Sequence, residues 1–165
     1  MTVTAASLRS ALRPHASGVA VLTAAGAAGP AGVTITSFTS ISAQPALISF
    51  ALADTSSTWA LIEDCAWFAV QLLGADQADV ARRFATSGAD RFAAPTRWHE
   101  GPHGVPLLDD CLSWLVCSRQ QQITLGDHHL VVCSVEEVRE GEPGDSLVHL
   151  HGALRPASSP DPVRM

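Results

Sequence analysis

Three residue types are missing from this 165-residue chain, which contains no lysine, no asparagine and no tyrosine. Its ten basic residues are therefore all arginine, against sixteen aspartate and glutamate residues, and the formal net charge is −6. A general nucleic-acid binder needs the opposite sign of charge, so we expect no nucleic-acid partner. Without lysine, a bound phosphate must be held by arginine, hydroxyl groups, backbone N–H groups or a helix N-terminus.

Long apolar runs are also missing, although hydrophobic residues make up 47% of the chain. No run reaches the roughly 18 residues that a membrane-spanning helix needs. Residues 1–11 lack the basic start and apolar stretch of a secretory signal, so we expect a cytoplasmic protein with no membrane partner. The hydrophobic content is nevertheless sufficient for a sizeable core, which excludes disorder over most of the length.

Cysteine pairs of the Cys-x-x-Cys type are absent, and the four cysteines stand alone at positions 65, 111, 117 and 133. Buried free thiols are therefore expected rather than a disulfide framework. His99 and His103 lie in a segment with proline and glycine, whereas His149 and His151 would share one face of a strand. Since neither pair has a clear third ligand, we expect no metal site.

Apolar segments bounded by glycine and proline predict at least six strands and two or three short helices. Helices are expected at residues 4–14, 55–64 and 76–86. Strands are expected at residues 18–25, 31–37, 46–52, 67–73, 112–125, 129–138 and 146–154. Because short turns join most strands without regular β–α–β alternation, the pattern favours an antiparallel barrel with inserted helices. We expect one domain over residues 1–155, followed by a frayed tail at 156–165.

Residues 32–45 read Gly-Val-Thr-Ile-Thr-Ser-Phe-Thr-Ser-Ile-Ser-Ala-Gln-Pro and contain six hydroxyl side chains. Strand alternation predicts that Thr34 and Thr36 share one face. Three serines are expected where the chain leaves the strand: Ser37, Ser40 and Ser42. Hydroxyls and free backbone N–H groups at such a bend can bind a planar polar ligand or a phosphate. A solvated sheet edge with a Ser/Thr turn is the alternative interpretation.

This segment resembles the signature of the short-chain flavin reductase family, Gly-Met/Val-Thr-Ala-Asn-Ser-Phe-x-Ser-Val-Ser-x-x-Pro-Pro. Four further segments resemble family motifs in the same order: residues 17–23, 67–73, 84–92 with Asp90-Arg-Phe, and 126–128 with Gly-Asp-His. The resemblance covers about residues 8–154. Each motif alone is weak, but five in order are specific.

The resemblance implies a mainly β, flavin reductase-like fold: an antiparallel split β-barrel of the Greek-key type with inserted helices. It also implies a homodimer with flavin near the subunit interface. The implied activity is that of an NAD(P)H:flavin oxidoreductase, in which hydride passes from nicotinamide C4 of NADH or NADPH to N5 of FMN or FAD. Reduced flavin would then diffuse to a partner monooxygenase. Because the cofactors carry the electrons, no catalytic side chain is expected.

The resemblance also assigns residues to the flavin. Four residues match the stretch that lines the flavin ring and ribityl chain, largely through backbone groups: Thr34, Ile35, Thr36 and Ser37. Thr36 stands where the family often has asparagine, and a hydroxyl cannot replace both an amide donor and a carbonyl acceptor. Main-chain contact is therefore expected at position 36. Ser40 and Ser42 match the Ser-x-Ser that follows in the family signature.

Phosphate and nicotinamide contacts are assigned to three other places. Residues 55–58 are expected to begin a helix, where Ser56, Ser57 and Thr58 would receive the flavin phosphate, although an ordinary helix cap is the alternative. Arg91 matches a basic family residue and is expected to pair with the same phosphate. His128 matches the family histidine beside the nicotinamide, the alternative being a surface side chain, and His129 is the weaker candidate.

A Rossmann site is not expected, because the spacing of Gly26 and Gly29 does not form a Gly-x-Gly-x-x-Gly motif. The nicotinamide nucleotide would instead bind transiently in an open cleft beside the flavin. Two other functions stay open at this point. One is a flavin-bound oxidoreductase of the same barrel type that acts on another small molecule, and the other is a non-catalytic flavin-binding protein.

Overall fold

The structure is a computed structural model that describes residues 2–158. Its helices are α1 (Ala5–Leu12), α2 (Trp59–Ile62) and α3 (Ala78–Ala85). Its strands are β1 (Ser17–Gly18), β2 (Ala20–Gly26), β3 (Gly29–Ile35), β4 (Thr39–Ala43), β5 (Ala46–Ala53), β6 (Trp67–Leu72), β7 (Trp98–Glu100), β8 (Pro106–Leu108), β9 (Ser113–Leu125), β10 (His128–Glu140), β11 (Leu147–Leu150) and β12 (Ala153–Pro156). Short 3₁₀ turns lie at Ala75–Gln77 and Pro102–Gly104.

The main sheet has seven antiparallel strands in the order β3-β2-β6-β9-β10-β5-β4. Its centre is the long β9–β10 hairpin, in which β9 pairs with β6 and β10 pairs with β5. Bulges between positions 132 and 133 and between 135 and 137 bend this hairpin, because an extra residue increases the local twist. No ladder within residues 2–158 joins β3 to β4, so the barrel is split as predicted.

The barrel interior is filled by alternating apolar side chains, among them Leu22, Phe50 and Phe68, all fully buried. The opposite face of β2 is also buried, because α3 packs across it and brings Phe84 against Val21. Gly32 lies beneath the helix, where an added Cβ would come within 2.8 Å of Phe84 Cε1. The close approach of α3 to β3 therefore requires glycine at this position.

A second short sheet, β7–β8, covers the outer faces of β6 and β9. A buried polar network attaches it there, since Gln71 Nε2 donates to Thr23 Oγ1 at 3.0 Å and to the Pro106 carbonyl at 3.4 Å. Gln71 Oε1 accepts from the backbone N–H of Leu108. Both Thr23 and Gln71 are fully buried, and these bonds satisfy their polar atoms.

The third sheet, β1-β11-β12, corrects one strand prediction. The segment expected as a single strand at 146–154 is a hairpin, turned by His151 (φ 53°) and Gly152 (φ 81°). His149 and His151 therefore do not share a strand face. The predicted tail begins inside this sheet, because β12 ends at Pro156; residues 159–165 lie outside the described residues.

Three other boundaries differ from the sequence prediction. The helix expected at 55–64 is only the four residues of α2, and the expected bend after residue 37 contains strand β4. The region 87–106, expected to be mostly loop, includes β7 and the start of β8. Local hydroxyl-rich composition suggested a bend that includes Ser40 and Ser42, but pairing with β5 holds both residues in an extended strand.

The cysteines are free thiols, and three of them are buried. Burial raises the pKa of Cys111 and of Cys133 to about 12, so both remain protonated. Of the helices in the described range, none combines the length and apolar character needed to cross a membrane.

Candidate functional site

Strand β3 carries the first two predicted flavin residues, and the fold already uses both side chains. Thr34 Oγ1 donates a hydrogen bond of 2.7 Å to the Ala81 carbonyl on α3. The Ile35 side chain is buried in the barrel core. What remains for a ligand at these positions is mainly the backbone, which is the kind of contact that the resemblance implied.

Thr36 and Ser37 follow the end of β3 and are exposed. Ser37 Oγ donates to the Ala51 carbonyl at 2.8 Å and accepts from the Ala51 N–H at 3.0 Å, so it attaches the bend to β5. The Thr36 hydroxyl makes no hydrogen bond to any residue in 2–158. It is therefore the side chain of this stretch that is free to meet a ligand.

Ser40 and Ser42 lie in strand β4, where they pair with β5, so the prediction that they lie on the bend is wrong. They line a mostly apolar cleft of about 280 Å³ together with Leu115, Val135 and Val138. Extended pairing places them on an edge strand rather than in a turn, because β5 offers a free ladder there.

The loop at 55–58 approaches β3 and gives α2 only a weak hydroxyl contact, from Ser56 rather than from Thr58. Thr58 is buried, has helical backbone angles and makes no side-chain capping bond to α2. Ser56 Oγ instead accepts a long bond of 3.4 Å from the Trp59 N–H, and Ser57 is exposed. A helix of four residues has only a small dipole, so the helix end itself offers an anion little.

Arg91 connects three elements around this loop. Its Nη1 donates to the Gly32 carbonyl and to Thr58 Oγ1, both at 2.6 Å, and its Nη2 donates to the Thr86 carbonyl at 3.0 Å. Its Nε is buried without a partner. Burial lowers the pKa of Arg91, and no carboxylate of residues 2–158 lies within salt-bridge distance. Arg91 is thus a half-buried cation without a counter-anion among residues 2–158.

His128 begins β10 and pairs in register with Ala53 at the end of β5. Its Nδ1 lies 2.7 Å from Asp127 Oδ1, and this hydrogen bond is the largest cause that lowers the pKa of the exposed Asp127. The Asp54 N–H donates to the Asp127 carbonyl at 3.0 Å. The predicted nicotinamide residue therefore lies beside the start of the loop that leads to Thr58.

His129, the weaker candidate, has a role that sequence reasoning missed. Its ring stacks on the buried Trp59 with 4.5 Å between centroids and an angle of 14°, and its Nδ1 lies 3.3 Å from Thr124 Oγ1. Strand alternation places His128 and His129 on opposite faces of β10. Only the tertiary fold brings α2 under His129. The stack fixes the tip of the β9–β10 hairpin against α2.

The sequence profile described as "Flavin reductase like domain" matches residues 12–158. This chain belongs to the flavin reductase family.

This chain is similar in sequence to two proteins whose names state an enzymatic role. It is 39% identical over 144 residues to an NADH:FMN oxidoreductase of Rhodococcus erythropolis, covering 87% of this chain and 75% of the relative. It is 35% identical over 147 residues to the reductase component of a 4-nitrophenol 4-monooxygenase/4-nitrocatechol 2-monooxygenase of Rhodococcus opacus, covering 89% and 78%.

Solved structures share the fold of this family member. A flavin reductase domain protein from Arthrobacter superposes with a TM-score of 0.90 at 34% identity, covering 96% of this chain and 98% of that one. An NADH:FAD oxidoreductase of Streptomyces globisporus, solved with NAD and FAD fragments, superposes with a TM-score of 0.87 at 28% identity, covering 94% and 93%.

The residues of this family member fit a flavin phosphate at Arg91. A cleft of about 170 Å³ is lined by Arg91, Gly32 and Leu61, and Arg91 forms no salt bridge with any residue in 2–158. Asp90 also lines the cleft, but its Oδ1 accepts the Ala93 N–H. Because a partly buried cation without a counter-anion is unfavourable, an incoming phosphate would stabilise it.

Proposed function

We propose that this chain is an NAD(P)H:flavin oxidoreductase, which transfers a hydride from NADH or NADPH to FMN or FAD and supplies reduced flavin to a partner monooxygenase. The observation that carries the proposal is the 39% identity, over 144 residues, to an NADH:FMN oxidoreductase. The relative named as a monooxygenase reductase component supports the partner. We further propose a cytoplasmic homodimer whose single domain spans residues 1–155.

The flavin ring and ribityl chain would lie along residues 34–37, held by backbone groups and by the free hydroxyl of Thr36. Ser40 and Ser42, on the neighbouring edge strand, would complete this side of the site. Arg91 would bind the flavin phosphate with help from the hydroxyls of the adjacent loop: Ser56, Ser57 and Thr58. Contacts that join β3, β5 and this loop support placing these groups in one continuous region.

His128 would contact the nicotinamide nucleotide from the tip of the β9–β10 hairpin. When bound, flavin accepts the hydride, so the protein needs to supply orientation and electrostatic stabilisation rather than an acid or a nucleophile. The hydrogen bond to Asp127 fixes the His128 ring, and the stack of His129 on Trp59 holds the hairpin tip in place. Together these contacts preorganise the face that the nucleotide would approach.

The decisive experiment is steady-state kinetics with the four pairings of NADH or NADPH with FMN or FAD. We expect the purified protein to consume the nicotinamide nucleotide only when flavin is present. A visible spectrum of the protein as purified separates a tightly bound flavin from one that exchanges at each turnover. Flavin binding without any turnover would contradict the proposal and favour a non-catalytic flavin protein.

A further inference from the structure

Residues 54–59, here called the bridge segment, lead from β5 into α2 and are attached at both ends. At the first end, the Asp54 N–H donates to the Asp127 carbonyl at 3.0 Å, in the turn between β9 and β10. At the other end, Thr58 Oγ1 accepts a hydrogen bond of 2.6 Å from Arg91 Nη1. The turn directly precedes the proposed nicotinamide contact, and Arg91 is the proposed phosphate contact. One short segment therefore touches the elements that carry both parts of the proposed site.

A second contact between the bridge segment and the β9–β10 hairpin is the stack of His129 on Trp59. The two ring centroids lie 4.5 Å apart, the rings are inclined by 14°, and Trp59 is only 3% exposed. His129 also lies opposite Thr124 on β9, whose Oγ1 is 3.3 Å from the imidazole Nδ1. Because Trp59 is buried and directly follows Thr58, the ring stacked on it takes its position from the end of the bridge segment. A change at Thr58 is therefore transmitted to the neighbour of His128.

The Thr58 hydroxyl is held firmly on one side only. It accepts the bond from Arg91, whereas its own proton has the Gly32 carbonyl as partner at 3.5 Å, the long limit of a hydrogen bond. Arg91 in turn lines the cleft proposed for the flavin phosphate, and its buried Nε has no partner among residues 2–158. A phosphate that binds Arg91 restricts the guanidinium, and through the 2.6 Å bond it restricts Thr58 as well.

We propose that the Trp59–His129 stack couples the flavin phosphate site to the nicotinamide contact at His128. This inference rests on the proposed function, because both ligands are its cofactors. Trp59 and His129 are positioning residues, since neither is assigned a contact with a reacting atom. A ligand that orders one end of a contiguous set of contacts lowers the ordering cost of a ligand at the other end, and such coupling is reciprocal. Bound FMN should therefore tighten the binding of the nicotinamide nucleotide.

Riboflavin, which is FMN without the phosphate, isolates this coupling. With each flavin at saturation, we expect the parent protein to have a KM for NADH about fivefold lower with FMN than with riboflavin, the low end for coupled sites. His129→Asn removes the stack, so its KM for NADH should be the same with both flavins. His129→Phe restores a ring on Trp59 and should restore the difference.

The matched control is His103→Asn, because His103 also stacks on a tryptophan, Trp67, with 3.5 Å between ring centroids and an angle of 4°. This residue lies in the 3₁₀ turn at Pro102–Gly104, outside the bridge segment and the hairpin, and asparagine tolerates its φ of 58°. His103→Asn should keep the difference between FMN and riboflavin. Equal KM values in the parent protein would overturn the coupling, as would a difference that survives His129→Asn or is lost in His103→Asn.

Thr58→Val interrupts the same set of contacts at its other end, because valine lacks the oxygen that accepts the Arg91 bond. We expect it to abolish the difference between the two flavins while leaving the stack of His129 on Trp59 in place. This variant also keeps the proposal testable if His129→Asn does not fold, which circular dichroism shows. A Thr58→Val protein that kept the full difference would contradict the coupling.

Calorimetric titration with oxidised NAD gives a readout that does not depend on turnover. The NAD Kd of the parent protein should be about fivefold lower with FMN than with riboflavin, and equal with both flavins in His129→Asn. If this pattern appeared while no flavin was reduced, the coupling would stand and the proposed function would fail. If flavin was reduced with the same KM for NADH in both cases, the proposed function would stand and the coupling would fail.

Discussion

Thr34, Ser37 and Thr58 show that a hydroxyl predicted to touch a ligand can already be engaged by the protein. Each is hydrogen-bonded within the fold: Thr34 to α3, Ser37 to β5, and Thr58 to Arg91. A hydroxyl that is already hydrogen-bonded gains little from a new partner, because its first bond must be weakened or shared. At the scale of single residues, Arg91 and His128 are therefore the side chains whose substitution tests the site most directly.

Replacing Arg91 with alanine removes the cation from the proposed phosphate site. We expect Arg91→Ala to weaken FMN binding by about 1–3 kcal/mol, the range for a charge-assisted hydrogen bond. Fluorescence titration of the flavin measures this, with Arg82→Ala as the control. The substitution also removes bonds to Gly32 and Thr86, so the melting temperature should fall. A lower melting temperature with an unchanged flavin Kd would make Arg91 purely structural.

Replacing His128 with alanine removes the proposed nicotinamide contact at the hairpin tip. We expect His128→Ala to raise the KM for the nucleotide or to lower kcat by roughly fivefold, equivalent to about 1 kcal/mol for one hydrogen bond. Flavin affinity should be largely kept.

The matched control for His128 is His99→Ala, because His99 also lies beside a carboxylate, 3.1 Å from Asp109, but on β7. It should leave both kinetic constants unchanged. Loss of flavin affinity in His128→Ala, with normal nucleotide kinetics, would contradict the assignment.

At the scale of elements, the buried bonds of Gln71 determine where the β7–β8 sheet lies. They link β2, β6 and β8, and no water can replace them in a fully buried position without a cavity. Because β8 packs on the outer faces of β6 and β9, this network also supports the strands that carry the β9–β10 hairpin.

Gln71→Ala tests this network. It leaves the Leu108 N–H and the Thr23 hydroxyl with fewer partners and opens a cavity, so we expect the free energy of unfolding to fall by about 2–5 kcal/mol. Urea unfolding followed by fluorescence measures it. The exposed Gln120, whose Nε2 donates to Ser118 Oγ, provides the control, and Gln120→Ala should change the value by less than about 0.5 kcal/mol. Equal effects of the two substitutions would show that the buried network contributes no more to the free energy of unfolding than an exposed hydrogen bond does.

At the scale of the whole molecule, apolar surface is left exposed around the edge strand β4. The cleft there is lined by Phe38, Leu115 and Val138, and Val138 is 59% exposed. An edge strand beside apolar surface is the kind of feature that association of two chains covers. Since Ser40 and Ser42 line the same cleft, a second copy seated there would also bring the proposed flavin site to the subunit interface.

Val138→Asp tests the proposed homodimer. We expect light scattering to give about twice the chain mass of 17.3 kDa for the parent protein and a single chain mass for the variant, because a buried carboxylate opposes association. FMN affinity should fall with it.

Val3→Asp is the control for Val138→Asp, since Val3 is an exposed valine that lies before α1 and outside the cleft. It should leave both the mass and the FMN affinity unchanged. A Val138→Asp variant that stayed dimeric would place the interface elsewhere.

Short-range signals in the sequence were sufficient to predict most of the strands of the main sheet and the helices α1 and α3. Alternating and continuous apolar runs predicted β2, β5, β6, β9 and β10 to within a few residues, because side-chain burial follows the period of the local backbone. The family motifs likewise depend on the identities of residues close together in the chain. Hydroxyl composition, by contrast, predicted that Ser40 and Ser42 lie on a bend, whereas pairing with β5 places them in a strand.

The sequence by itself therefore determined the mainly antiparallel class, the family and the residues worth testing. Only the tertiary structure decided which of those side chains are free. It engaged Thr34 with α3, stacked His129 on Trp59, and placed no carboxylate of the described residues in a salt bridge with Arg91. It also brought Arg9 and His149 to one cavity. These outcomes depend on contacts between residues far apart in the chain, which local periodicity and composition do not encode.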